Sequence, residues 1–128
     1  MKLPAIRGLA LIIGVLLPVA EVVRRSGDLA SWWLWIDDLV IGAVLLSGAW
    51  AARDGSERGL RTLAAAWGVA AGMGYYSLVG HLLRLGEVDV SGLPQSVITA
   101  VIGAGWVLIL IALVSTIRLT ALPGVRRE

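Results

Sequence analysis

Residues 32–46 read WWLWIDDLVIGAVLL, an apolar run that carries two adjacent carboxylates. On an insertion scale a central transmembrane Asp costs about 2.5 to 3.5 kcal/mol, while a Leu, Ile or Val returns only about 0.3 to 0.6 kcal/mol. Asp37 and Asp38 therefore cancel much of what Leu34, Ile36, Leu39, Val40, Ile41, Val44, Leu45 and Leu46 contribute. Such a segment needs shelter from other helices or from a wet cavity.

The rest of the chain supplies those helices. Of 128 residues 58% are hydrophobic, and mean hydropathy is +0.85, well above the roughly 45 to 50% apolar content of a soluble domain. Apolar runs at about 3–23, 29–52, 60–85 and 94–119 each approach the ~20 residues that cross a hydrocarbon core. The first, MKLPAIRGLALIIGVLLPVAEVV, starts like a signal peptide but lacks a small-x-small cleavage site, so it reads as a retained helix. RRSGD, RDGSERG and GEVDVSG carry the turn residues between runs. Connections this short make sequential neighbours antiparallel. The expected fold is an all-α integral membrane protein, one domain over 1–128, built as an antiparallel four-transmembrane-helix bundle.

Charge sets the orientation. Lys2, Arg7, Arg53, Arg58, Arg61, Arg118, Arg126 and Arg127 flank one side, whereas Arg24, Arg25 and Arg84 flank the other. The positive-inside rule then places both termini in the cytoplasm. Ten Arg against one Lys, with no Asn and no Phe, point to a GC-rich bacterial genome and hence the inner membrane. These arginines are read as topology and anionic-lipid contacts, not as a nucleic-acid surface. The absence of Cys excludes disulfide and thiolate chemistry.

Aromatic residues fall near the ends of the spans: Trp32, Trp33 and Trp35 outside, Trp50 and Trp67 inside, the pattern of interfacial anchors. Trp106 lies midway along the fourth span and reads as a packing residue. In the first span Arg7, Leu11, Gly14, Pro18, Glu21 and Arg25 form one stripe, and Pro18 deprives the Gly14 carbonyl of its helical N–H. The third span carries Gly68, Gly72, Tyr76 and Gly80 at four-residue intervals. Small residues let helices approach closely, so Gly14, Pro18, Gly68, Gly72 and Gly80 are the expected packing or hinge positions.

Polar residues converge on the outer half. Asp37 and Asp38 lie on the order of 10 Å inside the second span, counting 1.5 Å per residue from Ser31. Glu21 and His81 approach from the first and third helices, and Gln95, Ser96 and Thr99 from the fourth. Adjacent helical residues point about 100° apart, so only one Asp of the pair faces the axis, and Asp38 is the expected one. The candidate ion- or ligand-binding residues are thus Asp38, Asp37, Glu21 and His81. Tyr76, Ser77, Gln95, Ser96, Thr99 and Trp106 are the expected pocket lining.

Oxygen and imidazole ligands suit a divalent cation or a proton relay. No cofactor is expected, and no H-x-x-x-H or E-x-x-H spacing supports a particular metal. Intramembrane ionisable residues point to function, which gives a first expectation of binding or translocating a cation, proton or small solute. A second is a non-catalytic accessory or assembly subunit of a larger membrane complex, its acids paired with arginines. A membrane-embedded metal-assisted or acid/base enzyme is a third, with no G-x-S-x-G, H-E-x-x-H or Cys nucleophile in its favour. The bilayer is the expected environment, and a homo-oligomer or a larger complex the expected assembly.

Overall fold

The computed structural model describes residues 1–24, 36–89 and 91–121. Four α-helices follow in order: α1 (Leu3–Arg24), α2 (Ile36–Ala51), α3 (Glu57–Leu82) and α4 (Gln95–Thr120). Among the described residues there is no β-strand, only an isolated bridge between Val88 and Pro94. The part of the opening run over 32–35, with its three tryptophans, lies outside the described residues, as do Arg25, Ser31, Arg126 and Arg127.

α1 and α4 are long and apolar enough to cross a membrane by length and composition. Only 22% and 17% of their most apolar windows are buried inside the chain. A core helix of a soluble protein would bury most of that surface. Leu16, Val23, Val101 and Ile117 are among the large apolar side chains turned outward.

Local chemistry explains the helix boundaries. A 3-10 turn, Ala52–Asp54, ends at Gly55 with φ +70°, a left-handed conformation natural to glycine. Ser56 then accepts a hydrogen bond from the Gly59 N–H at 3.2 Å and caps α3. Arg7 reaches back to the other side of this junction, donating from Nε to the Ala49 carbonyl at 3.0 Å. One of the last carbonyls of α2 thereby gains a charged donor. At the opposite end Pro94 precedes the first turn of α4 with φ −57°, where proline's missing N–H is no loss.

Sequential helices pack against one another, while α1 meets α4 over a much shorter contact. α1 and α2 cross closely. A side chain at Gly42 would begin 2.6 Å from the Gly14 carbonyl oxygen and 2.8 Å from Pro18 Cγ, so only hydrogen fits. The carbonyl that Pro18 leaves without a helical partner therefore lies against Gly42 of the neighbouring helix.

The core occupies the half of the molecule that holds the start of α1 and the end of α4, around Trp67, Leu63, Leu45, Ile6 and Thr116, all fully buried. Trp67 departs from the sequence reading. It is not an interfacial anchor: it lies ten residues into α3, about 15 Å, with no exposed surface and no hydrogen-bond partner for its indole N–H. Trp50, by contrast, is 69% exposed, with the Arg53 guanidinium 4.8 Å from its ring centre. The α1 stripe also shifts by one position. Ile6, Ala10, Gly14 and Glu21 are buried while Leu11 turns outward.

Candidate functional site

Glu21, on the last turn of α1, is 8% exposed, at the end of the molecule where the apolar core is sparse. Arg24, one turn on, holds it with two parallel hydrogen bonds, Nε to Oε2 at 2.7 Å and a terminal nitrogen to Oε1 at 2.8 Å. The other terminal nitrogen of Arg24 donates to Asp89 Oδ1 at 2.8 Å. One guanidinium thus bridges two carboxylates from separate parts of the chain, the geometry in which arginine binds most strongly. The side chains of Glu21, Asp89 and Arg24 are 9%, 6% and 21% exposed, so water screens these pairs only in part.

Asp89 belongs to the connection between α3 and α4. Its second oxygen accepts from the Ser91 N–H at 3.0 Å and the Ser91 hydroxyl at 2.7 Å, an Asx-type turn. Burial pushes its carboxyl up, but the donors of Ser91, with Arg24 and His81 nearby, outweigh this and hold it below its ordinary range. The loop is tied at further points. Asp89 N–H donates to the Leu93 carbonyl, Gln95 N–H to the Glu87 carbonyl, and Gly92 turns with φ +81°.

His81 contacts Gln95 side chain to side chain through Nδ1, joining the end of α3 to the start of α4. It lies within electrostatic reach of Arg24, Asp89 and Glu21. Gln95 is 4% and Thr99 6% exposed, and the Thr99 hydroxyl donates to the Gln95 carbonyl. Asp38 is half-buried and within electrostatic reach of Arg24, whereas Asp37 is exposed. Both acids fall in the first turn of α2, where the helix dipole favours negative charge. Asp38 therefore neighbours a guanidinium, and both carboxylates of the opening run lie at a helix N-terminus.

The structure brings together Glu21, His81, Gln95, Thr99 and, at longer range, Asp38. Tyr76, Ser77 and Ser96, expected as lining, are exposed instead. The face that α3 turns to α4 runs through Ala71, Gly74 and Leu78: Trp106 packs at 3.0 Å from where a Gly74 side chain would begin and donates from Nε1 to the Ala71 carbonyl at 2.9 Å. Tyr76 and Ser77 fall on other sides of that helix, and Ser96 is one position off the buried line Gln95–Thr99. Trp106 sits in the α3–α4 contact beside Tyr75, ring centres 6.0 Å apart.

Sequence reasoning missed Asp89. Arg25, which shares the α1 stripe with Glu21, lies outside the described residues, and Arg24 at i+3 pairs with Glu21. The D-x-S pattern at Asp89–Ser91 was the available signal, since such a turn fixes a carboxylate in a short loop. Among the described residues no group of three His, Cys, Asp or Glu is placed to hold a metal ion.

The glycines of α3 divide from those of α1. Gly14 and Pro18 are in the α1–α2 crossing, but at Gly68, Gly72 and Gly80 no neighbouring atom lies within 4 Å of where a side chain would begin. Among the described residues no helix lies over that small-residue flank. No protein-family model, curated protein or solved structure matches the chain.

Proposed function

We propose that the chain is a four-pass protein of the bacterial inner membrane with both termini cytoplasmic, and that it works as a non-catalytic accessory or assembly subunit of a larger membrane complex. The observation that carries this reading is the uncovered α3 flank at Gly68, Gly72 and Gly80. In a bilayer, small-residue faces are where helices approach one another, and this one is left for another protein. The asymmetric arginines support the orientation. The acidic cluster fits the same reading, because Arg24 occupies the space between Glu21 and Asp89 and engages both carboxylates.

Gentle extraction followed by mass measurement tests it. The wild type is expected to leave the membrane with a second, different protein, and Gly72→Leu to leave without it while keeping its own helical content and melting temperature. A wild type that purifies alone, or a Gly72→Leu chain that keeps its companion, contradicts the reading.

A second reading, binding and translocation of a cation or proton, draws on one observation: Glu21, Asp38 and Asp89 surround a single described guanidinium, that of Arg24. A cation would then exchange against Arg24, with the half-buried Asp38 at the edge of the site. Liposomes holding the purified chain would show cation or proton flux that Asp38→Asn removes. Unchanged flux, or none, leaves the accessory role.

A further inference from the structure

A groove of about 290 Å³ runs between α2 and α3 on the outside of the molecule. Ala43 and Ser47 form one wall, Thr62, Ala65 and Val69 the other. Its hydroxyls are turned inward on their own helices: Ser47 donates to the Ala43 carbonyl at 2.7 Å and Thr62 to the Arg58 carbonyl at 3.0 Å. What remains is an apolar channel without a free polar group, about 10 Å long from Thr62 to Val69 at 1.5 Å per residue. It lies in the half of the bundle that holds the core.

The mouth of this channel is cationic. Arg58 precedes Thr62 by four residues, Ala65 by seven and Val69 by eleven, so it stands on the same face of α3, at the end where the helix leaves the membrane. Trp50 follows Ser47 by three residues on α2, and Arg53 lies over its ring. The neighbouring acids are already engaged. Glu57 pairs with Arg61, and Asp54 accepts from the Ser56 N–H, which holds its carboxyl below the ordinary range. Arg58 is exposed and makes no ion pair among the described residues.

An apolar slot opening at headgroup level onto two guanidinium groups, that of Arg58 without an ion pair among the described residues and that of Arg53 stacked on an indole, has the chemistry of one ligand class. We infer that the groove holds an anionic phospholipid of the leaflet facing these arginines, one acyl chain lying between α2 and α3 and the phosphate on Arg58 and Arg53. Arginine suits a phosphate diester because its donors meet two oxygens at once, and Trp prefers the headgroup depth. This inference rests on the membrane reading above and is independent of the accessory role.

The test uses the full chain in detergent micelles, titrated with phosphatidylglycerol or phosphatidylcholine of identical acyl chains and read by native mass measurement. The wild type is expected to retain one phosphatidylglycerol per chain in preference to phosphatidylcholine, by about five-fold for each arginine engaged. Arg58→Gln should lower that preference about five-fold while leaving phosphatidylcholine retention unchanged. Ala65→Leu, on the exposed wall, should abolish retention of both lipids with the melting temperature kept. Equal retention of the two lipids by the wild type, or retention indifferent to Ala65→Leu, overturns the inference, as does a lipid-free dimer, which would give the groove to a second copy. A chain that never enters the membrane fraction would sink the membrane reading itself; a membrane-bound chain without lipid preference sinks only this inference.

Discussion

At the scale of single residues, the outer cluster turns on how many donors one carboxylate receives. Asp89 accepts from Arg24 and twice from Ser91, and its folded-state pKa is held below the unfolded value of about 3.9. A depressed carboxylate contributes stability that is fully present above the unfolded pKa and is lost as pH falls through the folded one. Asp89→Asn should therefore cost about 1 to 3 kcal/mol at neutral pH. Thermal unfolding of the two proteins in detergent should show a gap that is constant above about pH 4.5 and closes below pH 4. A gap of the same size at pH 3 would mean that the carboxylate's charge plays no part. Trp67 offers a second residue-level test. Its indole fills the inner core, so Trp67→Ala should lose about 3 to 5 kcal/mol, which the same melts would register. An interfacial anchor would lose far less.

At the scale of helices, crossings and uncovered flanks respond differently to the same kind of change. Gly42 faces the Gly14 carbonyl and Pro18 at distances no side chain accommodates, so Gly42→Ala should push α1 from α2 and cost about 1 to 3 kcal/mol. Gly72→Ala, with open space beside it, should leave the melting temperature unchanged or raise it slightly, because alanine is the better helix former. Equal effects at both positions would contradict the assigned faces. Helix existence was legible in the sequence because each apolar run ends at arginines or turn residues, and the observed bounds 3–24, 57–82 and 95–120 lie within a few residues of the expected spans. Facing was less legible. A four-residue stripe such as Gly68, Gly72, Tyr76 and Gly80 marks one side of a helix but does not say whether a neighbour covers it. Tyr76 and Ser77 were misplaced for that reason, and Trp67 was assigned by its position along α3 when its angle around the helix decides its burial. Glu21, His81, Gln95 and Thr99 could be grouped from antiparallel geometry alone. Asp89 could not, because a loop has no periodicity to project.

At the scale of the whole molecule, the helices form a chain of neighbours, with α1 and α4 in brief contact. At the end that holds the start of α1, the shared core and the Arg7 contact to α2 hold the elements together. At the opposite end, Arg24 ties the end of α1 to the α3–α4 connection, acting as a clasp where the buried apolar core is sparse. The proposed topology makes its own prediction: in this cysteine-free chain, Glu87→Cys should react with an impermeant maleimide in intact spheroplasts, and Asp54→Cys only after lysis. Reaction of both before lysis would contradict four passes with cytoplasmic termini. The clasp itself is the claim on which the reading of the acidic cluster depends, since a site filled by Arg24 is a different object from an open cation pocket. A double-mutant cycle of Arg24→Gln and Asp89→Asn, followed by unfolding in detergent at neutral pH, measures it directly. A coupling of about 1 to 3 kcal/mol between the two positions is the expected result. Additive losses, with no coupling, would mean that Arg24 does not hold Asp89 and that the carboxylates are available to a ligand.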